Sequence, residues 1–176
     1  MKFSFYFYLM CSLLLISHVA HAAHGEEESN LADTSLTKEE VNAYLTGGGL
    51  DIDRVADINH FPDPKRVIQI KDLLNLNRAQ NNRTTISYKL MRKYAIKTGR
   101  KIVRKENQLN NLFQQAAVDL SAVKKLVHEI AILKGELRFV HLRARVNQKS
   151  YLTNEQISTY LLNKNNQNPA VYAFDE

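Results

Sequence analysis

Leu36-Thr37-Lys38-Glu39-Glu40, Leu76-Asn77-Arg78-Ala79-Gln80 and Leu152-Thr153-Asn154-Glu155-Gln156 are one phrase written three times: a leucine, a capping residue, and Glu or Gln three positions after the cap. In a capping box the Thr or Asn side chain accepts from the amide three residues on. The Glu or Gln reaches back to the cap's own amide, so two donors orphaned by a helix start are satisfied together. The leucine in front stands where a hydrophobic staple packs. Thr37 with Glu40, Asn77 with Gln80, and Thr153 with Gln156 therefore each mark the start of a helix.

Downstream of the second phrase the spacing predicts the longest helix, from the Asn77 cap to about Gln115. Its core stripe is Tyr88, Met91, Ala95, Thr98, Ile102, Glu106, Leu109 and Phe113, spaced three and four throughout. Lys89, Lys93, Lys97, Arg100 and Arg104 hold the same spacing on the opposite side. A charge row of this kind is ordinarily a solvated face. Here Ile86, Leu90, Ile96 and Val103 are interleaved with it, where a purely solvated helix would carry Glu and Gln. That mixture of cations and aliphatics reads as a binding surface.

After a turn near residues 117–119 a second long helix runs to about Gln148 and carries two apolar stripes. Val123, Leu126, Ile130, Leu133, Leu137, Val140 and Ala144 suit packing back on the preceding helix as an antiparallel hairpin. His128, Ile132, Gly135, Phe139, Leu142 and Val146 form the other. A helix apolar on two sides is sandwiched within one core or shared with a partner. With two of four expected mature helices short, a homodimer across Ile132, Gly135, Phe139, Leu142 and Val146 is the economical expectation, Gly135 permitting close approach.

Upstream, a short helix is expected from Thr37 to Thr46, stopped by Gly47-Gly48-Gly49, a run that lacks the Lys and Ser/Thr of a phosphate loop. Residues 50–63 read as a linker holding one helical turn. Asp63 caps a helix that has Pro64 at its first position, carries Val67, Ile70 and Leu74, and ends near Asn75. Lys2, the apolar run Phe3 to Ile16 and Ala20-His21-Ala22 make residues 1–22 a signal peptide cleaved after Ala22. The expected organisation is then a disordered acidic N-terminus at 23–35, a helical domain at 36–163 and a flexible tail at 164–176.

Cleavage would remove Cys11, leaving no cysteine and no stable membrane span, and would lower the formal charge from +6 to +5 through loss of Lys2. Charge is unevenly placed. Residues 26–63 hold ten acids against Lys38 and Arg54, whereas residues 65–105 hold thirteen Lys or Arg against Asp72. Export demotes nucleic acid as the partner of the basic region and favours anionic or unfolded material of the envelope.

The order of export signal, L-T-x-x-[EQ] phrase, Asp63-Pro64 helix start, second L-x-x-x-Q phrase, long hairpin with Gly135-Glu136-Leu137-Arg138, and terminal Leu152-Thr153-Asn154-Glu155-Gln156 resembles the Spy/CpxP family of periplasmic proteins. The resemblance spans residues 36–163 and departs at Asn77, where Thr or Ser is usual; Asn caps as well. It implies an all-α, cradle-shaped antiparallel homodimer in the periplasm, acting as an ATP-independent chaperone for unfolded or misfolded envelope proteins. Related branches regulate an envelope sensor kinase or sense a heavy metal, which is the alternative function.

For that alternative the ligands are thin. His24, His60, His128 and His141 include no i,i+4 pair, Arg145 stands four after His141, and Ile132 stands where a zinc-protease motif begun at His128-Glu129 needs its second histidine. No metal site is therefore assigned and no cofactor is expected, a divalent metal being the one exception left open. Glu106 and His141 are out of register by ~15 Å across the hairpin and read as separate core-edge residues. With no mature cysteine nucleophile, no G-x-S-x-G elbow, no dinucleotide fingerprint and no paired carboxylates, catalysis is not expected.

Overall fold

All three phrases start helices in the computed structural model, which describes residues 34–48 and 50–167. Six helices and no strand occur among the described residues: α1 Lys38–Thr46, α2 Arg54–Ile58, α3 Pro64–Gln69, α4 Arg78–Phe113, α5 Leu120–Tyr151 and α6 Asn154–Gln167. The expected signal peptide, nearly all of the acidic N-terminal segment and most of the tail lie outside the described residues.

Thr37 Oγ1 accepts from the Glu40 amide at 3.1 Å while Glu40 Oε2 accepts from the Thr37 amide at 2.9 Å. Asn77 and Gln80 exchange the same two bonds at 2.9 and 3.0 Å, and Thr153 and Gln156 at 3.3 and 3.0 Å. The second and third phrases also meet in space. Gln80 Nε2 donates to Gln156 Oε1 at 2.8 Å, and Gln156 Nε2 donates to Gln80 Oε1 at 3.2 Å. Their remaining amide hydrogens go to the Tyr151 carbonyl at 2.9 Å and the Leu74 carbonyl at 3.0 Å. Only a primary amide has both the oxygen to close its own cap and the two donors to cross to the neighbour; a carboxylate has no donor. That is a physical reason for the two phrases that meet to end in Gln, whereas the first, closing only its own capping box, can end in Glu.

The α4–α5 hairpin is the spine. Its antiparallel register is pinned by Thr84 Oγ1 accepting from Gln148 Nε2 at 3.2 Å, and by the ion pairs Glu106–Lys134 at 2.8 Å and Lys105–Glu129 at 2.7 Å. Met91, Ala95, Ile102, Leu137 and Ala144 are buried along it as the two stripes predict. Phe113 departs from the expected core stripe: it is the last residue of α4, at the turn end of the hairpin, and stays 61% exposed. Across the turn Asp119 caps α5 by accepting from the Ser121 amide at 2.8 Å.

α1 crosses α4 and adds Tyr44 to this core, with Leu36 packed at its edge. A second cluster at the other end joins Val67, Leu74 and Tyr160, flanked by Ile70, Leu76, Leu152 and Leu161. α3 begins as expected, with Asp63 accepting from the Lys65 amide at 2.7 Å and Pro64 in the first turn. Its regular helix ends at Gln69, and the expected end near Asn75 is instead reached through turns closed by Asn75 at φ 48°. α6 runs on to Gln167, into the segment expected to be a flexible tail, because Lys164 is anchored to Asp57 at 2.6 Å.

Candidate partner-binding surface

On α4 the five cations Lys89, Lys93, Lys97, Arg100 and Arg104 are all exposed. Beside them Ile86 and Leu90 are 59% and 50% exposed, and Tyr94, which the sequence reading did not single out, is 48% exposed. Its spacing of four from Leu90 was the available signal. The other two aliphatics of the expected set are covered. Val103 is fully buried in the first core cluster, and Ile96 is half-buried against Gly47.

Gly99 explains the difference. A Cβ built there would fall on the carbonyl group of Tyr44, so the backbone of α1 lies directly on α4 at this glycine. Gly47, with φ 77°, ends α1 in the left-handed conformation against Arg92 and Ile96, and Arg92 Nε donates to the Thr46 carbonyl at 3.1 Å. The α4 strip Arg92, Ile96, Gly99 and Val103 is thus the seat of α1, which removes Ile96 and Val103 from the open surface.

On α5 the second stripe faces outward. Ile132, Phe139 and Val146 are 62%, 61% and 55% exposed, His128 and Gly135 are exposed, and Leu142 is half-buried. Gly135, expected to admit a close neighbour, has nothing within 4 Å of a built Cβ in this chain. Arg143 lies over the Phe139 ring at 5.6 Å, a cation–π contact that steadies both side chains. Between the helices a groove of about 390 Å³ is lined by Arg83, Ile86, Leu90, Val140, Arg143 and Tyr151. The aliphatic pair of α4 and the α5 residues next to Phe139 therefore belong to one continuous strip. Exposed apolar side chains grouped in this way, and rimmed by cations, make this strip the candidate surface.

A second depression is polar. A cavity of about 480 Å³ between the Gly47–Asp53 turn, the start of α3 and the hairpin is lined by Asp51, Asp53, Asp63, Arg92, His141 and Arg145. Buried Arg145 gathers the linker's acids: Nε to Asp53 at 2.7 Å, Nη1 to Asp57 at 3.4 Å and Nη2 to Asp63 at 3.7 Å, with the Phe61 carbonyl accepting at 3.2 Å. Burial opposes its charge, but the carboxylates of Asp63 and Asp53 outweigh that and hold its pKa above the ordinary value. Part of the charge asymmetry of the sequence is thus consumed inside the fold. Glu106 and His141 remain apart: Glu106 pairs with Lys134, while His141 is buried with no hydrogen-bond partner for Nε2 among the described residues.

Burial lowers the His141 pKa below its ordinary 6.5, with Asp53 and Asp63 pulling the other way and Arg145 adding to the fall. The unfolded chain then binds this proton more readily than the folded one, so His141 contributes a loss of stability as pH falls. The loss begins near the ordinary value of 6.5 and continues down to the lowered folded pKa. Urea midpoints measured from neutral to mildly acid pH should show that decline in the parent and a shallower one in His141→Gln. An unchanged slope would place the acid sensitivity elsewhere.

Among the described residues no three His, Cys, Asp or Glu side chains come together as a metal-ligand set, and no helix is long and apolar enough to cross a membrane. No family model, no curated protein and no solved structure matches this chain.

Proposed function

We propose that this chain is an exported, ATP-independent holdase of the periplasm that captures unfolded envelope proteins on the outer face of α4 and the adjoining groove. The observation that carries the reading is the juxtaposition of five exposed cations with exposed Ile86, Leu90 and Tyr94 on a face that α1 leaves open. Cations attract acidic, extended chains over roughly a Debye length, ~8 Å at physiological salt, while apolar contact is short-ranged and little screened. Such a surface holds many sequences loosely. A sensor needs convergent ligands and a definite epitope, whereas the basic-apolar strip has the character of a surface that holds many sequences loosely.

The charge reversal Lys93→Glu, Lys97→Glu, Arg100→Glu tests this. These side chains are exposed, so the melting temperature should hold while stopped-flow capture of an unfolded acidic protein slows several-fold at low salt and loses its salt dependence. Equal rates for variant and parent would leave the row a solvated face.

The outward stripe of α5 is the proposed homodimer interface. Sedimentation of the parent should show a dimer at micromolar concentration, and Phe139→Asp should give a folded monomer, because desolvating a carboxylate in the interface costs several kcal/mol. A parent that sediments as a monomer throughout would sink the assignment.

A further inference from the structure

The cation row of α4 runs between two apolar strips of the same helix. At 100° per residue Leu90 and Tyr94 lie about 80° to one side of the row's centre, and Ile96 and Val103 about 70° to the other. The first pair is open, at 50% and 48% exposure, whereas Val103 is fully buried and Ile96 half-buried beneath α1. One short helix therefore hides half of the apolar border of the basic face.

Little holds that helix down. Of the nine residues Lys38–Thr46 only Tyr44 is buried, with Leu36 packed at the edge of the core just ahead of the helix. None of the ion pairs among the described residues includes a residue of α1, and its Thr46 carbonyl accepts from an exposed side chain, that of Arg92. A helix this short does not persist in water without a surface to pack on. α4 and α5, by contrast, hold each other through the buried Thr84–Gln148 bond, two ion pairs and a line of buried side chains. Elements with few buried contacts open at less cost than the whole fold. The exit from α1 suits such opening: Gly47 and Gly48 follow it, Gly47 at φ 77°. The chain beyond is fixed separately, where Asp53 meets Arg145 at 2.7 Å. α1 can thus leave its seat while the linker stays in place.

We propose that α1 is a removable cover on the client surface, and that an unfolded segment rich in aromatic or aliphatic side chains takes its place against Ile96 and Val103. The client half of that statement rests on the holdase reading; the lifting of α1 does not. A client that binds the lifted state better shifts the chain toward it by as much as the two affinities differ. Clients with little apolar surface then meet only the cations, Ile86, Leu90 and Tyr94, whereas strongly apolar ones reach both strips.

Hydrogen exchange of the parent chain, resolved by peptide, tests the lifting. Amides of α1 should exchange on the order of ten-fold faster than those around Ile102 and Leu137, at a rate little changed by low urea, while the hairpin amides follow global unfolding. If α1 exchanges with the rate and urea dependence of the hairpin, the cover is overturned whether or not a client is captured. Saturation with reduced, carboxymethylated serum albumin, a permanently unfolded protein, should raise α1 exchange several-fold further. Capture with α1 exchange unchanged or slowed would overturn displacement and leave the holdase reading standing. Two substitutions then separate seat from strip. Leu36→Ser loosens α1 and leaves the strip intact, so the albumin should be captured several-fold faster. Ile96→Ser also loosens α1 but takes an apolar contact from the strip, so bound albumin should leave several-fold faster; release at the parent's rate would mean that clients never reach it. Local opening of α1 with no capture by the parent or either variant would keep the lifting and sink the client half together with the holdase reading.

Discussion

Replacing Arg145 by Leu should destabilise the fold by about 3 kcal/mol or more, the range found when one partner of a buried ion pair is removed. The guanidinium is 9% exposed and faces Asp53, Asp57 and Asp63 at once. Asp53, itself only 15% exposed, would be left as an uncompensated charge. Asp57 would keep Lys164, and Asp63 would keep its cap of α3. For a domain of this size the loss corresponds to a fall in melting temperature on the order of 10 °C. Arg145→Lys should recover little, since a single ammonium cannot spread over three carboxylates and a carbonyl as the planar fork does. The double variant Arg145→Leu, Asp53→Leu should be more stable than Arg145→Leu alone, because removing both partners leaves no buried charge. Urea unfolding of the set is the measurement. A cost below about 1 kcal/mol for Arg145→Leu would mean that water reaches the cluster and that the linker is not held by it.

Caps and hairpin were legible because their signals are local. Thr37, Asn77 and Thr153 act on amides three residues away, and helical periodicity carries from end to end of α4 and α5. What the sequence hid were meetings between distant segments. Nothing in Asp53, Asp57 or Asp63 says that Arg145, more than eighty residues on, will collect them. The meeting of Gln80 with Gln156 was hidden in the same way, although the change from Glu40 to Gln80 and Gln156 in the repeated phrase was its visible trace. The candidate surface divides along the same line. The cations, Ile86 and Leu90 were legible from spacing on one helix, whereas the covering of Ile96 and Val103 depends on α1 arriving from elsewhere in the chain. The trace of that arrival was a glycine in the middle of a long helix, where glycine costs about 1 kcal/mol relative to alanine and asks for a reason in packing.

Gly99→Ala should therefore lower stability although it places a better helix former in α4. On an isolated helix the exchange gains about 1 kcal/mol. Here the added methyl falls on the carbonyl carbon and oxygen of Tyr44, backbone atoms that cannot swing aside as the end of a flexible side chain can. α1 has to lift as a unit, loosening Tyr44 from the core and uncovering Val103, a cost of about 1–3 kcal/mol by the usual scale of overpacking. The net expectation is a loss of up to about 2 kcal/mol, with faster hydrogen exchange confined to α1 and its seat. Gly135→Ala is the opposite case on the same spine: open space surrounds the built Cβ, so the helix gain of up to about 1 kcal/mol should appear in full. The sign of the difference between these two substitutions decides whether α1 is seated at Gly99. Should Gly99→Ala stabilise the chain as much as Gly135→Ala does, α1 does not press on α4 there, and Ile96 and Val103 return to the proposed binding face.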